Sequence, residues 1–317
     1  MMKKILGLAL VSLCAIGASG VAMTLGEALA LFQNDNIAVT YTDEGREQLL
    51  DVVATLRSAL GVTDALNEER EGDVDKPQEG GVMEFAVDAS LKDVVTKLSQ
   101  AYYTLANVFY TPETNEATYL KGKHWGLKSL RMNPGFAELE GPYGKSGAGF
   151  IAAAKAETDV AALYWATANW LRVSQKNALQ AVFAGVPAKT QAMSERTLEL
   201  DPGYVAGGSY RSLGAYWSGL PIGKDMDKAL SFLCYVVTEP ICSACGACQP
   251  ALAAADEYFE NRTFIAEFYY MEKGMWADAA RVLESVIADP IGDKYPLMNA
   301  YAQDNARKLL VVVQGKL

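Results

Sequence analysis

The chain has almost no histidine. His124 is the only one in 317 residues, so a multi-histidine metal site is excluded and no nucleophile-and-base constellation can be recognised around it. A packing or surface role is expected for it. Basic charge is scarce as well. Lys and Arg total 28 against 38 Asp and Glu, a formal net charge of −10. Nucleic acid and anionic lipid both need a basic face, so neither is expected as a partner; the acidity serves solubility. Past the first residues no apolar run is long and uncharged enough to span a bilayer. No segment alternates apolar and polar residues as a half-buried strand does. A phosphate-binding loop is started and not completed. Gly144-Lys145-Ser146 has its ending, but Leu139 stands where the motif needs glycine, and no strand precedes it. The many acidic residues are scattered, as on a solvated face.

What is present begins with an export signal. Met1-Met2-Lys3-Lys4 leads into a nearly apolar stretch from Ile5 to Gly17 and a small-residue exit at Gly20-Val21-Ala22. This pattern predicts a secretory signal peptide over 1–22 and a mature, periplasmic or otherwise exported chain from Met23. Cys14 offers a second reading, a lipid anchor, against which the bulky Leu13 and the early position of Cys14 speak. Half the residues of the whole chain are apolar, enough for one large core. We read 23–317 as a single domain, with a charged loop near 61–81.

The central stretch is Leu213–Pro240. Leu213, Tyr216, Trp217 and Leu220 share one helical face. After a break at Pro221 to Lys224, Met226, Ala229, Leu230, Leu233, Val236 and Val237 repeat it. Two amphipathic helices across a short turn make a hairpin, with the tetratricopeptide layout of Leu-Gly early, Ala in the second helix and Pro after it. Small residues such as Gly214 and Ala229 are expected where the helices meet. Elsewhere, helical period runs from Leu91 to Phe109, with Ser90-Leu91-Lys92-Asp93 resembling a capping box. Gly122, Gly126 and Ser129 give the next helix a small-residue stripe, and Gly135 to Gly149 reads as a loop. Thr158 to Val173 is apolar on nearly every side, the mark of a buried central helix. Phe264 to Met271 and Ala279 to Ile287 form another pair, followed by a last helix through Val313. Pro134, Pro202, Pro240 and Pro290 punctuate these elements at irregular intervals. The predicted fold is all-α: tetratricopeptide-like helical hairpins packed into a solenoid or bundle.

Cys234, Cys242, Cys245 and Cys248 form the sharpest local motif. In an oxidising compartment they pair as disulfides, in one of three connectivities. The same spacing can hold zinc or act as a redox pair, so three readings stand. Asn261-Arg262-Thr263 fits a glycosylation acceptor, a short pattern common by chance.

Three stretches carry a family resemblance. Ala162 to Trp170, Leu213 to Trp217 with Asp225 to Ala229, and Asp293 to Leu310 are similar, in order and spacing, to the T-component of TRAP transporters, known as TatT, over roughly 91–312. The resemblance implies an exported all-helical protein that is not an enzyme and needs no cofactor. It implies a homotrimer with a channel through each protomer, and a periplasmic substrate-binding protein as partner. Tyr164, Trp165, Trp170, Tyr216 and Trp217 are then the expected channel lining for a small organic or apolar ligand, although such aromatics more often fill a core. The cysteine cluster is not part of that pattern. Two alternatives stay open: a thiol-disulfide or metal-binding enzyme using those cysteines, and a generic helical-repeat interaction module.

Overall fold

The computed structural model describes residues 23–33, 35–62, 86–141, 147–238, 252 and 255–317. The signal-like segment, Cys14, most of the charged loop, Gly144-Lys145-Ser146, Pro240 and Cys242, Cys245 and Cys248 lie outside them.

The chain opens with α1 (Leu25–Ala30). Its capping box is reciprocal: the Thr24 hydroxyl accepts from Glu27 N at 3.2 Å, while the Glu27 carboxylate accepts from Thr24 N at 2.8 Å. A minimal antiparallel ladder follows, β1 (Phe32–Gln33) against β2 (Asn36–Ile37), pairing Phe32 with Ile37 and Gln33 with Asn36. Two residues per strand are too few to show alternation, which is why the sequence carried no strand signal.

Helices make up nearly everything else. They are α2 (Asp43–Ala59), α3 (Lys92–Thr104), α4 (Glu116–Arg131), α5 (Pro134–Glu140), α6 (Gly147–Ala156) and α7 (Val160–Lys176). After them come α8 (Ala178–Phe183), α9 (Val186–Leu200), α10 (Tyr204–Gly219) and α11 (Met226–Leu233). The chain closes with α12 (Glu260–Ile265), α13 (Trp276–Ala288) and α14 (Pro296–Gln314). Helices α3 with α4, α5 with α6, α10 with α11 and α13 with α14 pack as sequential hairpins, and α4 also packs on α7. The all-α hairpin architecture is therefore as expected. Among the described residues no helix is long and apolar enough to cross a membrane.

Small residues set the close crossings. A Cβ on Gly126 would meet Ala166 Cα at 2.6 Å, and one on Gly214 would meet Leu233 Cγ at 2.5 Å. Polar ties lock the same crossings. Asn169 on α7 donates to Ser99 O on α3 at 3.2 Å, and Ser99 Oγ donates to Gly122 O on α4 at 2.7 Å. Nine consecutive residues of α7, Ala162 to Trp170, are buried.

Three local expectations need correction. Asp88, not Ser90, is the cap: its side chain accepts from Ser90 N at 2.8 Å and starts a single 3-10 turn over Ala89–Leu91 ahead of α3. Residues 134–140 are a helix, not part of a loop. Pro134 starts α5 instead of stopping α4, since Asn133 caps it by accepting from Gly135 N at 3.0 Å and proline suits a first helical turn. Two π turns, Leu105–Phe109 after α3 and Ala266–Met271 after α12, interrupt helices that read as continuous.

His124 is buried on α4, 7% exposed. Burial, with help from the neighbouring Lys123 and Arg131 charges, lowers its pKa to about 4. The unfolded chain then takes up this proton first, near the ordinary value of about 6.5. Stability from this residue is fully present above that value and is lost as pH falls toward 4. The expected loss is about 3 kcal/mol between pH 7 and pH 4. Urea unfolding across that range, with His124→Gln as reference, checks it: the difference between the two proteins should shrink as pH falls, and a pH-independent difference would refute it.

Candidate functional site

The chain's described cavity, of about 170 Å³, lies where two core clusters meet. The first cluster supplies Ala168 and Val186 to its wall, and the second is flanked by Phe264 and Phe268. Leu171 and Arg172 of α7 form one side. Ala178, Ala181 and Val182 of α8 form another, Thr190 of α9 and Ser212, Ala215 and Tyr216 of α10 a third, and Tyr103, Ser174 and Gln175 add polar groups. The wall is mostly apolar, and Arg172 is its only charged side chain.

Helix α8 is an unusual wall. None of its residues is buried. Its inner face lines the cavity, while Leu179 and Phe183 on its outer face are exposed, Phe183 at 84%. It is joined to α7 by Asn177 in a non-helical conformation and to α9 by Gly185, whose φ of 69° places it in the left-handed region where glycine carries no steric cost.

Behind the cavity lies a buried polar cluster. Asn107, held in the first π turn, is its hub. Arg172 Nη2 donates to Asn107 Oδ1 at 3.1 Å, and the Tyr119 hydroxyl donates to the same oxygen at 3.1 Å. Asn107 Nδ2 in turn donates to Glu260 Oε1 at 3.3 Å. Arg211 donates to Asn261 Oδ1 at 2.6 Å, to Ala206 O at 3.0 Å and to Val205 O at 3.0 Å, and its guanidinium lies 4.4 Å from the Tyr258 ring centre. Burial raises the pKa of Tyr103, Tyr164, Tyr258 and Tyr301, which keeps their hydroxyls protonated. Burial likewise raises that of Glu267, against the pull of Arg172.

Arg211 also holds the backbone. Val205, Ala206 and Gly207 have φ of 49°, 50° and 81°. Such a conformation is an outlier for a β-branched residue. It turns two carbonyls onto the Arg211 guanidinium, and charge-assisted hydrogen bonds offset the strain. From Gly208 onward α10 runs on to the cavity wall.

The five aromatics expected to line a channel are not brought together at this cavity. Tyr216 is in its wall. Trp217 stands beside it, ring centres 5.0 Å apart, with the Lys228 ammonium 4.1 Å above the indole. Trp165 donates from Nε1 to the Tyr204 hydroxyl at 3.1 Å, and Tyr164 packs edge-on to Trp165 at 4.8 Å. Trp170 packs edge-on to Phe150 at 5.7 Å beneath Lys123, whose ammonium is 4.3 Å from its ring centre. Cys234 follows α11 and is disulfide-bonded; the other three cysteines of the motif are outside the described residues. Among the described residues no His, Cys, Asp and Glu group is arranged to hold a metal. Asn261 is fully buried and donates to Ala255 O at 2.6 Å, so the folded chain offers no glycan acceptor there. Sequence reasoning missed Arg172, Tyr103, Asn107 and Glu260. Arg172 did leave a signal: it is the sole charge between Val160 and Ser174.

Residues 88–233 match the family model of the TRAP transporter T-component, TAtT, as the sequence resemblance implied. That description is of a transporter accessory component and not of a known enzyme class. No curated protein matches the chain.

Proposed function

We propose that this protein is the exported, non-enzymatic accessory subunit of a TRAP-type tripartite transporter, that it docks the periplasmic substrate-binding protein, and that its cavity holds a small organic ligand passed between them. The observation that carries this reading is the position of the cavity. All of its lining except Phe264 and Phe268 falls within residues 88–233, the segment that matches the T-component model. A largely apolar cavity with a few polar groups is what a small-molecule site requires. A homotrimer fits the same reading, and so does a cysteine cluster that acts as a staple between α11 and the segment after it.

Docking is tested by analytical ultracentrifugation of the mature protein with its cognate substrate-binding protein. A complex is expected at tens of micromolar or below. Absence of any complex at that concentration, with and without ligands, would remove the partner from the proposal.

A further inference from the structure

We propose that Val205–Gly207, at the start of α10, is a built-in two-state turn, locked left-handed by contacts from other elements, and that its release moves the part of α10 that walls the cavity. The proposal does not depend on what the cavity holds.

The backbone comes first. Among the described residues only three non-glycine positions have positive φ: Asp35, Val205 and Ala206. All three meet at one place. Asp35 sits at the tip of the β1–β2 hairpin, and its carboxylate lies against the Val205 backbone N–H. Gly207 extends the run with a φ of 81°. Left-handed residues normally occur singly, because Cβ crowds the following carbonyl oxygen. Three in succession, one of them β-branched, make a strained turn.

The local sequence does not ask for this turn. Tyr204-Val205-Ala206-Gly207 contains no proline, and a right-handed entry into α10 is the default for such residues. Tertiary contacts select the left-handed form. Arg211 donates to Val205 O and to Ala206 O, each at 3.0 Å, and Asn261 Nδ2 of α12 donates to Ala206 O at 3.1 Å. Arg211 also donates to Asn261 Oδ1 at 2.6 Å, and both side chains are buried. Gln100 of α3 fixes the hairpin tip by donating to Asp35 O at 2.9 Å. A Cβ on Gly207 would meet Val236 Cγ1 at 2.4 Å, so the turn is also wedged against the segment after α11. Local preference and tertiary contact oppose each other here, which is the condition for a segment with two packings.

The turn joins an exposed end to a buried one. Asp35 is exposed. Beyond Gly207, α10 runs on to Ser212, Ala215 and Tyr216 in the cavity wall and packs on α9 and α7. Rewinding the turn to the right-handed form changes the register of that wall against both helices. The hairpin at the surface is thereby coupled to the cavity through one short segment whose equilibrium both ends bias.

Two substitutions and their combination test this on the mature protein. Ala206→Gly relieves strain and is expected to raise the melting temperature by roughly 2 °C, whereas glycine in a right-handed helix lowers it. Asp35→Gly keeps the φ of 60° and loses only the carboxylate. Hydrogen exchange should then rise about tenfold over residues 205–216, with the amides of α13 unchanged. Asp35→Gly combined with Ala206→Gly should bring exchange over 205–216 back to within about threefold of the parent, because glycine holds the turn without the latch. A mere loosening of the surface would show no such rescue. A lower melting temperature for Ala206→Gly overturns the strained turn. Exchange that rises only at 205–207 overturns the coupling to the wall. Unchanged exchange in Asp35→Gly, or no rescue in the double variant, overturns the latch.

Discussion

Replacing Trp170 with alanine is expected to lower stability by about 3–5 kcal/mol, within the usual range for removing a fully buried aromatic. The ring is 1% exposed and packs edge-on against Phe150. Two ammonium groups, Lys123 at 4.3 Å and Lys189 at 5.5 Å, rest over its face. Lys123 is fully buried and Lys189 is 7% exposed, so the ring's quadrupole acts on them with little water to compete. Alanine would leave a cavity and take away the ring beneath both charges. Trp217→Ala is expected to cost roughly 1 kcal/mol, as for other partly exposed positions, because Trp217 is half-buried and its main neighbours are Tyr216 and the exposed Lys228. Urea unfolding of the two variants should give clearly separated midpoints at equal slopes. A loss below about 1 kcal/mol for Trp170→Ala would mean that the ring borders open space, as a channel lining does.

Glu140→Ala is the second change with a large expected effect, about 3–5 kcal/mol. Arg131 Nε donates to Glu140 Oε2 at 2.7 Å and Nη2 to Oε1 at 2.5 Å, and both side chains are 4% exposed. This fork joins the end of α4 to the end of α5. The cost comes less from the pair's own strength than from leaving the guanidinium buried without its carboxylate. The double substitution Arg131→Met with Glu140→Leu should therefore be far less damaging than either single removal. A thermal-melt cycle checks this, and additive losses in the double variant would show that the charges are not coupled.

The hairpins were legible because their signal is local. Leu213 and Leu233 carry period, Gly214 marks a close contact, and α7 is apolar on most of its turns. The site was not legible for the opposite reason. Asn107 meets Arg172 and Glu260 across 65 and 153 residues of sequence, and no spacing rule links residues that far apart. The π turns that aim Asn107 and Phe268 are single-residue insertions into a helical register, so they leave the apolar pattern almost unchanged. The left-handed Val205 was also hidden, since its sequence argues against the conformation that Arg211 imposes on it. Tyr164, Trp165 and Trp170 are buried and Tyr216 and Trp217 half-buried, but burial alone does not say which ring faces a void.

Helix α8 is held to the rest of the molecule by less burial than the helices beside it. Its inner surface lines the cavity, yet it contributes no buried residue to either core cluster. Opening it costs a few exposed backbone hydrogen bonds and little apolar burial, far less than global unfolding. Amides of α8 are therefore expected to exchange with solvent faster than those of α7 and α9. Substitutions on its exposed face, at Leu179 or Phe183, are expected to leave the melting temperature nearly unchanged.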